Sequence, residues 1–249
     1  MKKNHSLFAG LLLGAGLLAA CQKNTYKITE RTEVSNSALV KIGFFAGSVL
    51  NPSIQLKVNG ERVSPLLVYN TPFPGGGLNT LGSNHSDYLT FTPGEYTFSW
   101  SIPKVGTNED SVAVLEEKVT LTATKQTIFV SDSIPKVTTY LVKDAIEHPT
   151  DSGKVRVKFV NLMPNVAAVD FYRNTELIAS NVPYKGVVEY KDIFAGNVNY
   201  YVKEAGLATN LNATKAINLA AGRIYTLFSR GYKGGGGTIA PNVSAMIVE

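Results

Sequence analysis

Thiols are nearly missing from this chain, whose 249 residues hold one cysteine, Cys21. No intrachain disulfide can form, so a stable fold must rest on its core. Tryptophan is as scarce, with Trp100 alone, and the histidines are His5, His85 and His148. Zinc sites want three or four Cys, His or carboxylate ligands at characteristic spacings, and those spacings are absent. No EF-hand pattern occurs, and Gly75 to Gly77 and Gly234 to Gly237 lack the residues of a phosphate-binding loop. Neither metal nor cofactor is therefore expected. The apolar stretch Leu7 to Ala20 has 14 residues where a membrane span needs about 20.

That stretch follows Lys2 and Lys3 and ends in Leu18-Ala19-Ala20 directly before Cys21. A basic start, an apolar centre and small residues at the cut make a secretory signal. With the cysteine at the cut, it resembles a bacterial lipoprotein signal. The resemblance implies cleavage before Cys21 and lipid on its thiol, and several acyl chains anchor more firmly than one. In Gram-negative lipoproteins an aspartate after the cysteine resembles an inner-membrane retention signal. Gln22 stands there, so an outer-membrane location is expected, with the periplasmic or outer face left open. Gln22 to Ser37 is polar and reads as a tether. Removing residues 1–20 takes two lysines and lowers the formal balance from +5 to +3. The basic residues of Lys154-Val155-Arg156-Val157-Lys158 alternate with valines, as on the wet face of a strand. No nucleic-acid partner is expected.

The chain repeats itself. Val40-Lys41-Ile42-Gly43-Phe44 aligns with Val155-Arg156-Val157-Lys158-Phe159, and Ile54 to Glu61 with Val169 to Glu176 at the same offset. Pro93 to Phe98 aligns with Ala195 to Tyr200, and Val119 to Ala123 with Ile217 to Ala221. The falling offset places extra residues in the first unit, chiefly Asn70 to Tyr88. Such repeats set the architecture. Tyr96, Phe98, Trp100 and Ile102 alternate with Thr97, Ser99 and Ser101, the period of a strand with one wet face. Trp100 is thus expected in the core. Asn59-Gly60 and Asn174-Thr175 are turn signals, and Ala221-Gly222-Arg223 reads as a hairpin-like site. These features predict an all-β chain of two immunoglobulin-like antiparallel β-sandwich domains after the signal peptide, with a barrel as the alternative. The expected bounds are signal 1–20, tether 21–37, first sandwich 38–143, linker 144–153 and second sandwich 154–249. The second unit is expected to fold alone.

The run Val155 to Asn165, with Asn161-Leu162-Met163-Pro164, is followed by Val169-Asp170-Phe171-Tyr172 and Leu177 to Val182. Later comes Leu219-Ala220-Ala221-Gly222-Arg223-Ile224-Tyr225-Thr226. This resembles the secreted bacterial domain-of-unknown-function family numbered 4397. The resemblance implies sandwich-like all-β domains, often in tandem and often on lipoproteins of the Bacteroidetes type. It covers residues 154–231 well and the first unit more loosely, where Ala46-Gly47-Ser48-Val49 stands at the Asn-Leu-x-Pro turn. It implies no catalytic residues.

Chemistry-bearing residues are few. His85 sits among Ser83, Ser86 and Asp87, but neighbours on one polar loop seldom give triad geometry. Glycosidase chemistry needs two carboxyls flanking a bond, whereas Glu109-Asp110 and Glu116-Glu117 are adjacent and read as solvated charge. The chain is expected not to be an enzyme. Tyr172, Tyr190, Tyr201 and Tyr232 are candidates for exposed aromatics. Tyr69, Phe73 and Tyr88 flank the insertion, where loops on a rigid sandwich carry recognition. They are the candidate ligand-binding residues, and Cys21 is the lipid attachment site. A non-catalytic envelope lipoprotein that serves surface adhesion or binds a glycan or an envelope protein is expected. A structural role without a ligand and a hydrolase with an unrecognised loop site are the alternatives.

Overall fold

Turn residues cut the alternating segments into strands. Asn59 and Gly60 both take positive φ, 51° and 83°, which lets a tight hairpin follow the twist of its strands. Asn174, at φ 50°, does the same in the second unit. The structure, a computed structural model, describes residues 36–45, 53–144 and 147–249. The signal, Cys21 and most of the tether lie outside the described residues. The first unit forms β1 (Ala38–Phe45), β2 (Gln55–Val58), β3 (Glu61–Arg62), β4 (Thr71–Phe73), β5 (Gly77–Leu78), β6 (Leu89–Phe91), β7 (Gly94–Pro103), β8 (Asp110–Leu121), β9 (Lys125–Ser131) and β10 (Thr138–Lys143). The second forms β11 (Lys154–Asn161), β12 (Ala168–Arg173), β13 (Glu176–Pro183), β14 (Val187–Phe194), β15 (Gly196–Glu204), β16 (Lys215–Leu219), β17 (Ile224–Arg230) and β18 (Asn242–Ile247). No α-helix occurs among the described residues.

Each unit is a pair of sheets, as the repeat predicts. The first packs β3-β2-β7-β8 on β10-β9-β1-β4, with β6 also beside β1. The second packs β13-β12-β15-β16 on β14-β11-β17-β18-β5. Ile42, Phe44, Leu56, Phe98, Trp100 and Ile128 fill the first core. Val157, Phe159, Phe171, Tyr200 and Leu227 fill the second. Phe98 and Tyr200, which the repeat aligns, are both wholly buried, as is Trp100.

Two features differ from the sequence reading. Ala221-Gly222-Arg223 does not close a hairpin: β16 lies in one sheet and β17 in the other, where β17 runs parallel to β11. β1 and β9 make the matching parallel pair. All seven residues of β17 are buried, so it needs a place covered on both faces. The second difference explains that covering. Lys158, expected on a wet face, is 5% exposed, and Lys41 is fully buried.

The faces of β1 and β11 that carry these lysines meet each other. Phe45, Phe129 and Val142 of the first unit form one cluster with Val160, Leu162, Phe228 and Met246 of the second. The Phe45 and Phe228 rings stand 4.3 Å apart. Gly43 is needed there, because a Cβ would overlap the Phe45 and Phe129 rings. β5, from the insertion of the first unit, hydrogen-bonds to β18 of the second, with Leu78 opposite Ala245. Both sandwiches thus belong to one compact unit.

Candidate functional site

The segment from Asn70 to Tyr88 attaches to the second sandwich instead of standing free. Asn79 Nδ2 donates to the Val243 carbonyl at 2.6 Å, and Ser86 Oγ donates to that of Val248 at 2.6 Å. This attachment sets the environment of the expected binding aromatics, all three of which are half-buried. Tyr69 accepts a 3.4 Å hydrogen bond from Arg230 and packs beside its guanidinium. Phe73, opposite Ile42, packs on the first core. Tyr88 donates to the Val248 carbonyl at 3.3 Å and lies 3.5 Å from Asp144 Oδ2. The three make separate contacts: Tyr69 with Arg230, Phe73 with the first core, and Tyr88 with Val248 and Asp144.

Beneath Tyr88 lies a buried charge cluster that the alternation pattern did not disclose. Lys41 Nζ donates to the Ile247 carbonyl and lies 4.3 Å above the Tyr88 ring. Burial brings its pKa down to about 8, against the opposing pull of Asp144. Burial pushes the Asp144 carboxyl up, although Thr127 Oγ1 donates to its Oδ2 at 2.7 Å. Burial likewise raises the Tyr88 hydroxyl far above its ordinary value. Lys158 donates to the Lys143 carbonyl at 2.7 Å. The bonds of Lys41 to Ile247 and of Lys158 to Lys143 run between the sandwiches, so the cluster ties them together.

The remaining candidates sort by position. His85 is exposed, while Glu109 pairs with Lys104, and Asp110 with Lys57 at 2.7 Å. No group of three His, Cys, Asp or Glu among the described residues could hold a metal. Tyr232 donates to Asp132 across the seam at 2.9 Å, and Tyr190 packs on Lys158. Tyr172 and Tyr201 behave differently.

Strand alternation turns Val169 and Phe171 of β12, and Tyr200 and Val202 of β15, into the core. Asp170, Tyr172, Tyr201 and Lys203 therefore share the opposite, outward face. Tyr172 and Tyr201 are direct cross-strand partners. Their rings stack with centroids 5.1 Å apart and planes 2° from parallel. Lys203 Nζ lies 4.8 Å over the Tyr172 ring. Leu177, opposite Tyr172, is 49% exposed. Asn197, Asn199, Ala216 and Asn218 extend the face on the other side, all exposed. Aromatic rings, amides and a charged pair thus lie on one sheet surface. The repeat provides the comparison: Lys57 aligns with Tyr172 and Ser99 with Tyr201, and Lys57 and Ser99 are themselves cross-strand partners. A sheet of this fold is built without tyrosines at these positions.

The model of the family described as a domain of unknown function, DUF4397, matches residues 40–172 and again 157–244. The chain belongs to that family. Its two matches fit the tandem arrangement of the sandwiches. No curated protein matches. Among solved structures, one similar chain is described by the words "Alpha-glucan recognition by family 41 carbohydrate-binding modules from streptococcal virulence factors". It is 11% identical, the match covers 80% of this chain and 95% of that one, and the TM-score is 0.23. At that score its ligand is a statement about that protein alone.

Proposed function

We propose that this DUF4397 protein is a non-catalytic envelope lipoprotein that binds glycans on the outer sheet of its second sandwich. The Tyr172–Tyr201 pair carries the reading. Tyr172 is engaged by Tyr201 and by Lys203, so the Tyr201 ring, backed by that stack, is the one that presents apolar surface to the CH face of a sugar, and neighbouring amides supply hydrogen bonds to hydroxyls. The side chains of Asn197 and Asn218 make no hydrogen bond among the described residues, which leaves them free for that role. Lys57 and Ser99 in the first sandwich show that the fold does not require the aromatic pair.

Lipid on Cys21 would hold the protein at the outer membrane, with residues 22–37 as spacer. The lipoprotein-like order of Lys2-Lys3, the apolar stretch and Leu18-Ala19-Ala20-Cys21 supports this part of the proposal. Cys21→Ser is expected to move the protein from the membrane fraction to the soluble fraction; firm retention would remove the anchor from the proposal.

The binding claim is tested on a glycan array with the full chain in detergent micelles, followed by titration of the strongest hit. Tyr201→Ala is expected to weaken that hit about tenfold or more, a loss of about 1.4 kcal/mol. Its melting curve should stay close to wild type. An array without a saturable hit, or a hit indifferent to both Tyr172→Ala and Tyr201→Ala, would overturn the reading.

A further inference from the structure

On one side the seam between the sandwiches opens into a cleft of about 620 Å³. Leu39, Tyr88 and Lys125 line it from the first sandwich, Arg223 and Glu249 from the second, and His148 from the joint. Its charges are not equally available. Lys125 Nζ is hydrogen-bonded to Glu249 Oε2, and His148 Nε2 stands 3.7 Å from Oε1. The Lys125 bond holds the Glu249 carboxyl below its usual range, against the effect of partial burial. Glu249 is therefore ionised and engaged. His148 Nδ1 lies 2.6 Å from the Gly222 carbonyl, which fixes the ring against the turn.

Arg223 stands apart from this network. Its carbonyl accepts from the Arg156 N–H at 3.0 Å, but its guanidinium makes no hydrogen bond or ion pair among the described residues. Gly222, at φ 76°, forms the turn that brings the exposed Arg223 to the cleft. A free guanidinium is a planar fork whose donors match the two oxygens of a carboxylate. Leu39 and the Tyr88 ring, which the Lys41 and Lys125 amines approach to 4.3 and 5.8 Å, line the same cleft and add apolar surface. Among the side chains that line the cleft, two cations, Lys125 and Arg223, stand with one carboxylate, Glu249.

We propose that this cleft is a binding site for a carboxylate-bearing sugar, with the carboxylate on Arg223 and the ring against Tyr88 and Leu39. The site shares no residue with the outer-sheet face and stands independently of it. A free sugar acid and the acidic residue of a longer glycan present the same chemistry here.

The test is calorimetric titration of the full chain in detergent micelles with D-glucuronate, using D-glucose and acetate as comparisons. Saturable glucuronate binding is expected, with glucose and acetate each weaker by about tenfold or more. Added salt should weaken it, because an exposed cation contributes through a screened field. Arg223→Gln should cost about tenfold or more, and Arg223→Lys less, since lysine keeps the charge and loses the fork. A glucuronate-ended trisaccharide that binds as well as the monosaccharide assigns a glycan source; one that binds less assigns the free acid. The proposal is overturned if wild type gives no saturable glucuronate heat. It is equally overturned if folded Arg223→Gln binds like wild type, or if acetate binds as tightly as glucuronate. Tyr201→Ala should leave this titration unchanged, so failure here is distinguishable from failure of the outer-sheet reading.

Discussion

Lys41 shows how one residue can record that two sandwiches meet. On a half-wet strand a lysine among Val40, Ile42 and Phe44 would extend into water. Here its charged form is desolvated, and its folded pKa falls from 10.5 to about 8. Between those values the unfolded chain binds more protons than the folded one, so stability rises with pH across that window. The full shift corresponds to a gain of about 3 kcal/mol. Asp144 and Asp87 face the amine and favour its charge, while Lys125 opposes it. Burial raises the hydroxyls of Tyr88, Tyr184, Tyr200 and Tyr232, an effect that lowers stability only above about pH 10. Urea titrations from about pH 7 to about pH 9.5 should therefore show wild-type stability climbing above about pH 8. Lys41→Met should flatten that climb. A flat wild-type profile, or an unaltered climb in the variant, would place the amine in contact with water.

The element that decides the architecture, β5, is only two residues long. Its approach depends on Gly76, at φ 92°, where a Cβ would overlap the His85 carbonyl oxygen and the Lys41 amine. The Gly76 carbonyl also accepts from the Ile247 N–H at 2.8 Å. Gly76→Ala combines a disfavoured backbone with a clash against main chain, and should cost about 2–4 kcal/mol in urea unfolding. A change under about 0.5 kcal/mol would mean that the β5–β18 contact gives way easily. Sequence reading found the strands and cores because period two and turn residues are local signals, as at Tyr96 to Ile102 and Asn59-Gly60. It placed Tyr172 and Tyr201 opposite apolar faces for the same reason. It could not pair them, because register between β12 and β15 is a long-range property. Nor could it see that Thr127, Lys158 and Thr226 face a second sandwich, since a buried polar face and a wet one have the same alternation. The Gly75–Gly77 run, which in the sequence shows only that it lacks the residues of a phosphate-binding loop, gives close backbone approach in the fold.

At the scale of the molecule, the question is whether the seam makes one cooperative body out of two repeats. The second sandwich borrows β5, and its Phe228 and Met246 are covered by the first. Lys185 Nζ donates to Thr138 Oγ1 at 2.8 Å, and Tyr184 donates to Ser131 Oγ at 3.2 Å, closing another part of the seam. Separating the units would expose this apolar cluster, take the Ile247 carbonyl from Lys41 and the Lys143 carbonyl from Lys158, and remove the Lys158 charge from beside Asp144. Scanning calorimetry of the full chain should then give a single transition, with calorimetric and van't Hoff enthalpies in agreement. A fragment of residues 154–249 should melt about 10 °C or more below it, since each kcal/mol lost shifts a domain of this size by about 4–8 °C. Two resolved transitions, with the fragment melting at one of them, would mean that the seam is a contact between independent domains. In that case the cleft at Arg223 would open and close with their relative motion. One transition makes the cleft a fixed feature of the fold, built by the same contacts that join the repeats.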